Sequence, residues 1–208
     1  MKKIRGLDTE TMGLNPHTKA LLTVQIGTKE NQVVIDCTTI NIWEYKDILE
    51  DSTILYILAN AKFDTQFFFK HNIILSKVWD VMLAEKIRYL GYPKGSFHAD
   101  LKTLEYKYLN KYMDKTVRGK ITKVGLTEEV IVYAANDVVD LEDLMNAQIK
   151  ALEKEDLVKA VQLENRFVIP LAYMEWCGVK LDVEKWKAKM VKDAKRLKIA
   201  LTKLNDWV

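Results

Sequence analysis

Asp8 and Glu10 stand two residues apart in Leu7-Asp8-Thr9-Glu10-Thr11, at the end of Lys3-Ile4-Arg5-Gly6-Leu7, which reads as a short strand. Side chains alternate along a strand, so both carboxylates point to one face. Crowded acids relieve their repulsion by sharing a proton or by binding a divalent cation, and hard oxygen ligands suit magnesium or manganese. A metal site needs further carboxylates, and two downstream segments offer them. Asn60-Ala61-Lys62-Phe63-Asp64 follows the apolar run Ile54-Leu55-Tyr56-Ile57-Leu58-Ala59, which suits a buried strand delivering Asn60 and Asp64 to a helix start. Tyr133-Ala134-Ala135-Asn136-Asp137 lies in a helical stretch, where the i, i+4 spacing stacks phenol and carboxylate on one face.

Taken in that order, Asp8 with Glu10, Asn60 with Asp64, and Tyr133 with Asp137 resemble the three motifs of the DnaQ-like, ribonuclease H-like 3′-to-5′ exonucleases, in the subtype with four acids and a tyrosine. The segments between the motifs extend the likeness. Trp79-Asp80-Val81-Met82-Leu83-Ala84 and Leu101-Lys102-Thr103-Leu104 with Tyr108-Leu109 are similar to the exonuclease domain of family A, polymerase I type DNA polymerases. Leu163-Glu164-Asn165-Arg166 through Pro170 to Asp182 is similar to the join at which such enzymes pass into the polymerase domain.

The resemblance implies a chemistry. Asp8, Glu10, Asp64 and Asp137 would hold two divalent ions, Mg2+ or Mn2+, ~3.5 to 4 Å apart, the spacing of two-metal phosphoryl-transfer sites. One ion would acidify a water and the other would stabilise the leaving 3′ oxygen. Tyr133 would orient the attacking water through its hydroxyl, which with an ordinary pKa near ~10 stays protonated. Leu14 would wedge against the terminal base, Thr11 and Asn60 would line the cleft, and Phe63 would touch substrate. Contacts of this kind do not read base identity, so the expected substrate is single-stranded DNA or a frayed primer 3′ end. A DNA polymerase domain, in the same chain or a separate one, is the expected partner. RNA-trimming nucleases of the ribonuclease D kind share the three motifs, and the polymerase-like join argues against that reading. A non-catalytic binding module is the other alternative; relatives of that sort lack one or more of the acids, and here all are present.

The elements that must position these groups follow from pattern. Turn residues Met12-Gly13-Leu14-Asn15-Pro16 lead to strands over Ala20 to Thr28 and Gln32 to Asp36, an antiparallel meander containing the acidic strand. A short helix over Ile42 to Leu49, the apolar strand, and a helix from Phe63 to His71 follow, giving an α/β layer architecture, which the resemblance implies to be ribonuclease H-like, a mixed sheet flanked by helices. Asp80 caps a helix ending before Gly91, and Thr127 caps a single helix of about Glu128 to Leu152 carrying Tyr133 and Asp137. Asp140, one turn after Asp137, is a rival ligand or else a local salt-bridge partner. The aperiodic basic stretch Lys111 to Lys123 is a phosphate-contacting lip, with Lys115 and Arg118 as its candidate contacts, or a solvated loop. The resemblance implies that residues 1–152 form the exonuclease domain and 153–208 a helical appendage opening a thumb-like polymerase region. Its last helix, capped by Asp182, carries an apolar stripe of Trp186, Met190, Ala194, Leu197, Leu201 and Leu204. The sequence breaks off within that helical pattern, as a fragment or a split gene would.

At 208 residues and 49% hydrophobic content the chain can bury a full core, and a net charge of +3 is too small to announce a nucleic-acid partner. Cys37 and Cys177 make neither a disulfide framework nor a zinc spacing, which fits a reducing, cytoplasmic setting. No apolar run suits a membrane span.

Overall fold

The computed structural model describes residues 3–93, 95, 97–112, 121 and 125–207. Its centre is β1 (Lys3–Thr11), the acidic strand, which pairs antiparallel with β2 (Leu21–Gly27). β2 in turn pairs antiparallel with β3 (Gln32–Asp36), completing the expected meander. On its other edge β1 pairs in parallel with β4 (Ile54–Leu58), and β4 with the short β5 (Val78–Asp80), so the sheet order is β3-β2-β1-β4-β5. A 3-10 turn (Ile42–Tyr45) and α1 (Lys46–Leu49) bridge β3 to β4. Then come α2 (Ala61–Phe69), α3 (Val81–Arg88), α4 (Leu101–Leu109), α5 (Glu128–Asn136), α6 (Leu141–Lys154), α7 (Val158–Cys177) and α8 (Val183–Asn205).

Strand β4 shows why the sheet is buried on both faces. Ile54, Tyr56 and Leu58 point into one apolar cluster with Leu7, Phe67 and Phe68, while Leu55 and Ile57 point into a second with Val138, Leu141 and Leu144. A parallel strand covered on both sides reads as an unbroken apolar run, which is what Ile54 to Leu58 is. The same alternation sorts β1. Leu7 faces the α2 layer; Ile4 faces the α6 layer, and with it Gly6, Asp8 and Glu10.

Two expectations are corrected here. The single helix over Glu128 to Leu152 is two, α5 and α6, broken at residues 137–140. No Gly or Pro marks the break. Val138 is buried against β1 and Leu141, and the chain leaves the helical path to place it there. The strand β5, only three residues long, has no counterpart in the sequence reading. The caps fall as expected, with Thr127 accepting from the Val130 N–H and Asp182 from the Lys185 N–H.

A buried ion network fixes α3 to α4. Glu85, 1% exposed as a side chain, accepts hydrogen bonds from Lys107 Nζ at 2.5 Å and the Tyr108 hydroxyl at 2.6 Å. Arg88 pairs with Glu155, just past α6. Glu85→Ala strands the Lys107 and Tyr108 donors, and because Lys107 keeps a third of its surface in water the expected cost is about 1–3 kcal/mol, read as a lower urea midpoint at unchanged slope.

The chain divides into two compact units, Met1–Trp176 and Cys177–Val208. α7 belongs with the first unit, through buried Val161, Asn165, Val168 and Ala172. In the second, none of the residues of α8 is buried, and its Trp186, Met190, Leu197 and Leu204 are exposed. Among the described residues no helix is long and apolar enough to cross a membrane.

Candidate active site

The acids meet at the end of β1. One carboxylate oxygen each from Asp8, Glu10 and Asp137 lies within 4.8 Å of the others. Strand alternation brings the first two together, and Asp137 arrives from the break between α5 and α6, as the residue that ends α5. The break is therefore what carries the third acid to the strand, and Gly6 lets it close. A Cβ on Gly6 would lie 2.6 Å from the Val138 carbonyl oxygen and 2.9 Å from its Cβ, so only a residue without a side chain allows this approach.

Asp64 comes from the other layer. It sits in the first turn of α2, is almost fully buried, and its Oδ1 accepts a 2.6 Å hydrogen bond from Thr9 Oγ1. Thr9, between Asp8 and Glu10, ties α2 to this strand through that bond, and the oxygens that cluster within 4.8 Å do not include one from Asp64. It still acts on its neighbours. Burial, then repulsion from Asp64, Asp137 and Glu10 in that order, hold the Asp8 carboxyl well above the ordinary carboxylate range. Burial likewise pushes Asp64 up to about 7, against the lowering effect of the Thr9 hydroxyl.

Raised carboxyls tie stability to pH with a definite sign. The folded, metal-free protein holds these protons to higher pH than the unfolded chain, so the stability these two groups contribute is fully present below the ordinary carboxylate range and is lost as pH rises through their raised values. Each group contributes up to about 1.4 kcal/mol per pH unit across that window. In EDTA the Tm is expected to drop by several degrees between pH 4.5 and 7.5, and saturating Mg2+ to raise it more at pH 7.5 than at pH 5. Calorimetry at the two pH values checks this.

The other expected site residues are distributed as follows. Tyr133 and Asp137 line a cleft of about 390 Å³ together with Asn136, Asp140, Lys111 and Tyr112. Asp140 is ion-paired with Lys111, which is the salt-bridge alternative of its two readings. Thr11 ends β1, its Oγ1 donating to the Gly13 carbonyl at 2.9 Å. Leu14 is 85% exposed on the loop that follows. Asn60 stands exposed at the start of α2 in a left-handed conformation, and Phe63 is half-buried, its ring 5.1 Å from that of Phe67. Lys115 and Arg118 lie outside the described residues. A larger hollow of about 680 Å³ beside Trp79, Met145 and Arg166 is lined by none of the acids.

Several positioning groups had no signal in residue spacing. Thr9 and Gly6 are visible only once the layers are known. The Leu14 loop is held at both ends, by the Met12 N–H on the Ala20 carbonyl and by Lys70 Nζ on the Lys19 carbonyl, and at its middle by His17 stacked on Trp176 at 4.0 Å.

Residues 2–153, from β1 through α6, match the family described as 3′-5′ exonuclease of the DNA polymerase A type. The chain belongs to this exonuclease family. DNA polymerase I of Aquifex aeolicus is 29% identical over 204 residues, covering 88% of this chain and 33% of the relative, so the exonuclease chain spans about a third of that protein's length. Among solved structures, Brucella melitensis NrnC superposes with a TM-score of 0.73 at 23% identity, covering 85% of this exonuclease and 86% of NrnC. Escherichia coli RNase D, an exoribonuclease involved in structured RNA processing, gives 0.69 at 23% identity, over 82% of this chain and 45% of that one. These likenesses establish the ribonuclease H-like fold, a mixed five-stranded sheet flanked by helices.

Proposed function

We propose that this exonuclease proofreads DNA, removing nucleoside monophosphates from single-stranded or frayed 3′ ends. The observation that carries the reading is the meeting of Asp8, Glu10 and Asp137 within 4.8 Å at the end of one strand. The preference for DNA is supported by the likeness to DNA polymerase I, which spans 88% of the chain and so runs past the nuclease family's residues 2–153. A polymerase domain is the partner that likeness suggests.

The donor set fits a hard divalent cation, because every candidate ligand is a carboxylate oxygen and no His or Cys stands among them. Magnesium or manganese suits it, and one of the solved NrnC structures holds Mg2+. Asp8, Glu10 and Asp137, with Asp64 beside Asp8, would hold two such ions, which when bound polarise the scissile phosphate and lower the pKa of water. The chain's own groups do the remaining work. Thr9 keeps Asp64 turned toward the strand. Tyr133, one turn before Asp137, holds water in line with the phosphorus through its hydroxyl. Leu14 packs on the terminal base, and Asn60 and Phe63 hold the last nucleotide from the α2 side. Water gives up a proton to solvent as its oxygen bonds to phosphorus, the bond from phosphorus to the 3′ oxygen breaks, that oxygen takes up a proton to become the new 3′ hydroxyl, and the monophosphate departs through the cleft.

The test is a 5′-labelled single strand, as DNA and as RNA of the same sequence, with Mg2+, Mn2+ or EDTA. The expected result is a DNA ladder shortening from the 3′ end, absent in EDTA, with RNA cut at least ~10-fold more slowly, the discrimination that contacts to a sugar hydroxyl can supply. Faster cutting of RNA favours the ribonuclease D reading. No ladder on either strand from folded protein favours a binding module.

A further inference from the structure

We propose that Asp80 is a positioning residue of the exonuclease site, whose carboxylate supplies from β5 the cap that α2 lacks and so sets Asn60 and Asp64. The inference rests on the assignment of those two residues to the site. Helix starts leave N–H groups without partners, and the N-cap side chain meets them from an extended backbone. Asn60 cannot do so. It is left-handed, φ 74° and ψ 49°, and its side chain makes no capping bond. Ala61, next in line, is fully buried, so its N–H has no recourse to water.

Asp80 meets both donors. Its Oδ2 accepts from the Ala61 N–H at 3.0 Å and its Oδ1 from the Asn60 N–H at 3.1 Å. The same Oδ1 caps Asp80's own helix α3, through the Met82 and Leu83 N–H groups at 2.9 and 3.1 Å. One buried carboxylate thus joins two helix starts, where its charge also complements both dipoles. It is itself fixed from behind. The Asp80 N–H donates to Asn165 Oδ1 at 2.6 Å, and Asn165 Nδ2 donates to the Val161 carbonyl at 2.9 Å within α7.

The consequence for the site is direct. Relieved of capping, the Asn60 carboxamide is exposed and has no hydrogen-bond partner among the described residues. Asp64 rides one turn into the helix whose first peptide Asp80 holds. A residue that merely caps α3 would not need Oδ2 at all.

That difference supplies the test. Asn and Ser are N-caps about as good as Asp, so Asp80→Asn and Asp80→Ser both preserve the cap of α3. Asp80→Asn, with its oxygen in the Oδ1 place, turns an amide donor toward the Ala61 N–H; Asp80→Ser does not reach it. Steady-state cleavage of a 5′-labelled DNA strand across a Mg2+ series, with melting curves in EDTA, would be compared with wild type and Asp8→Ala. Expected are a kcat at least tenfold lower in both variants, a several-fold higher Mg2+ concentration for half-maximal rate, and melting within a few degrees of wild type. Variants within twofold of wild type in kcat and in Mg2+ requirement overturn the proposal, and so does a fall in melting temperature with normal kcat per folded molecule. If Asp8→Ala cuts as well as wild type, it is the site assignment that fails.

Discussion

Asp8→Asn is expected to lower kcat on single-stranded DNA by ~10³-fold or more, while raising the melting temperature of the metal-free protein at pH 8. The first half follows from position. The charges of Asp64, Asp137 and Glu10 all bear on Asp8. Loss of a single fixed donor that stabilises transition-state charge already costs ~10²–10³, and under the proposed function Asp8 would be a ligand on which the placement of the metal depends. The second half follows from the sign of the shift. Above the raised carboxyl range the folded wild type carries a desolvated charge among like charges, and an amide of the same shape removes both penalties. Activity and stability therefore move in opposite directions, and adding Mg2+ reverses the order of melting temperatures. A variant that is less stable than wild type in EDTA at pH 8 would contradict the crowding of charge at this site.

Gly6→Ala is expected to cost about 10² in kcat without altering any charged or polar group. The new Cβ would meet the Val138 carbonyl oxygen at 2.6 Å, far inside ordinary contact, and a main-chain atom has no rotamer by which to withdraw. The 137–140 junction must move off the strand, and Asp137 moves with it. A displacement of about 1 Å at a reacting centre is enough for a loss of that size. The signature is a raised Mg2+ requirement with a KM for DNA close to wild type, because Leu14 and Asn60 lie elsewhere. A KM change with normal metal dependence would mean that the junction had stayed in place.

Four of the five strands were legible because their signals are local. The short strand from Lys3 to Leu7 and the unbroken apolar run of Ile54 to Ala59 both survive into the structure as β1 and β4. What was not legible is decided between layers. Asn136-Asp137-Val138-Val139-Asp140 contains residues that are only weakly helical, yet nothing in it commands a stop. The stop comes from Val138 seeking the second apolar cluster across Gly6. Asn60 similarly stands at a helix start, as its place after the apolar run suggests, and the capping is done by Asp80 across the sheet edge. The acids announced themselves by type and order. The groups that hold them, Thr9, Gly6 and Asp80, have ordinary identities and acquire their roles only from neighbours distant in sequence.

The parallel pairing of β1 with β4, and the arrival of Asp137 from beyond α5, set a schedule for the growing polypeptide. The first two acids are made at once and the last only after more than half the chain. At ~5–20 residues per second of synthesis, several seconds to tens of seconds pass between the making of Glu10 and that of Asp137. If Asp137 belongs to the cutting centre as proposed, a ribosome-bound chain halted before Asp137 emerges should leave nearby single strands intact.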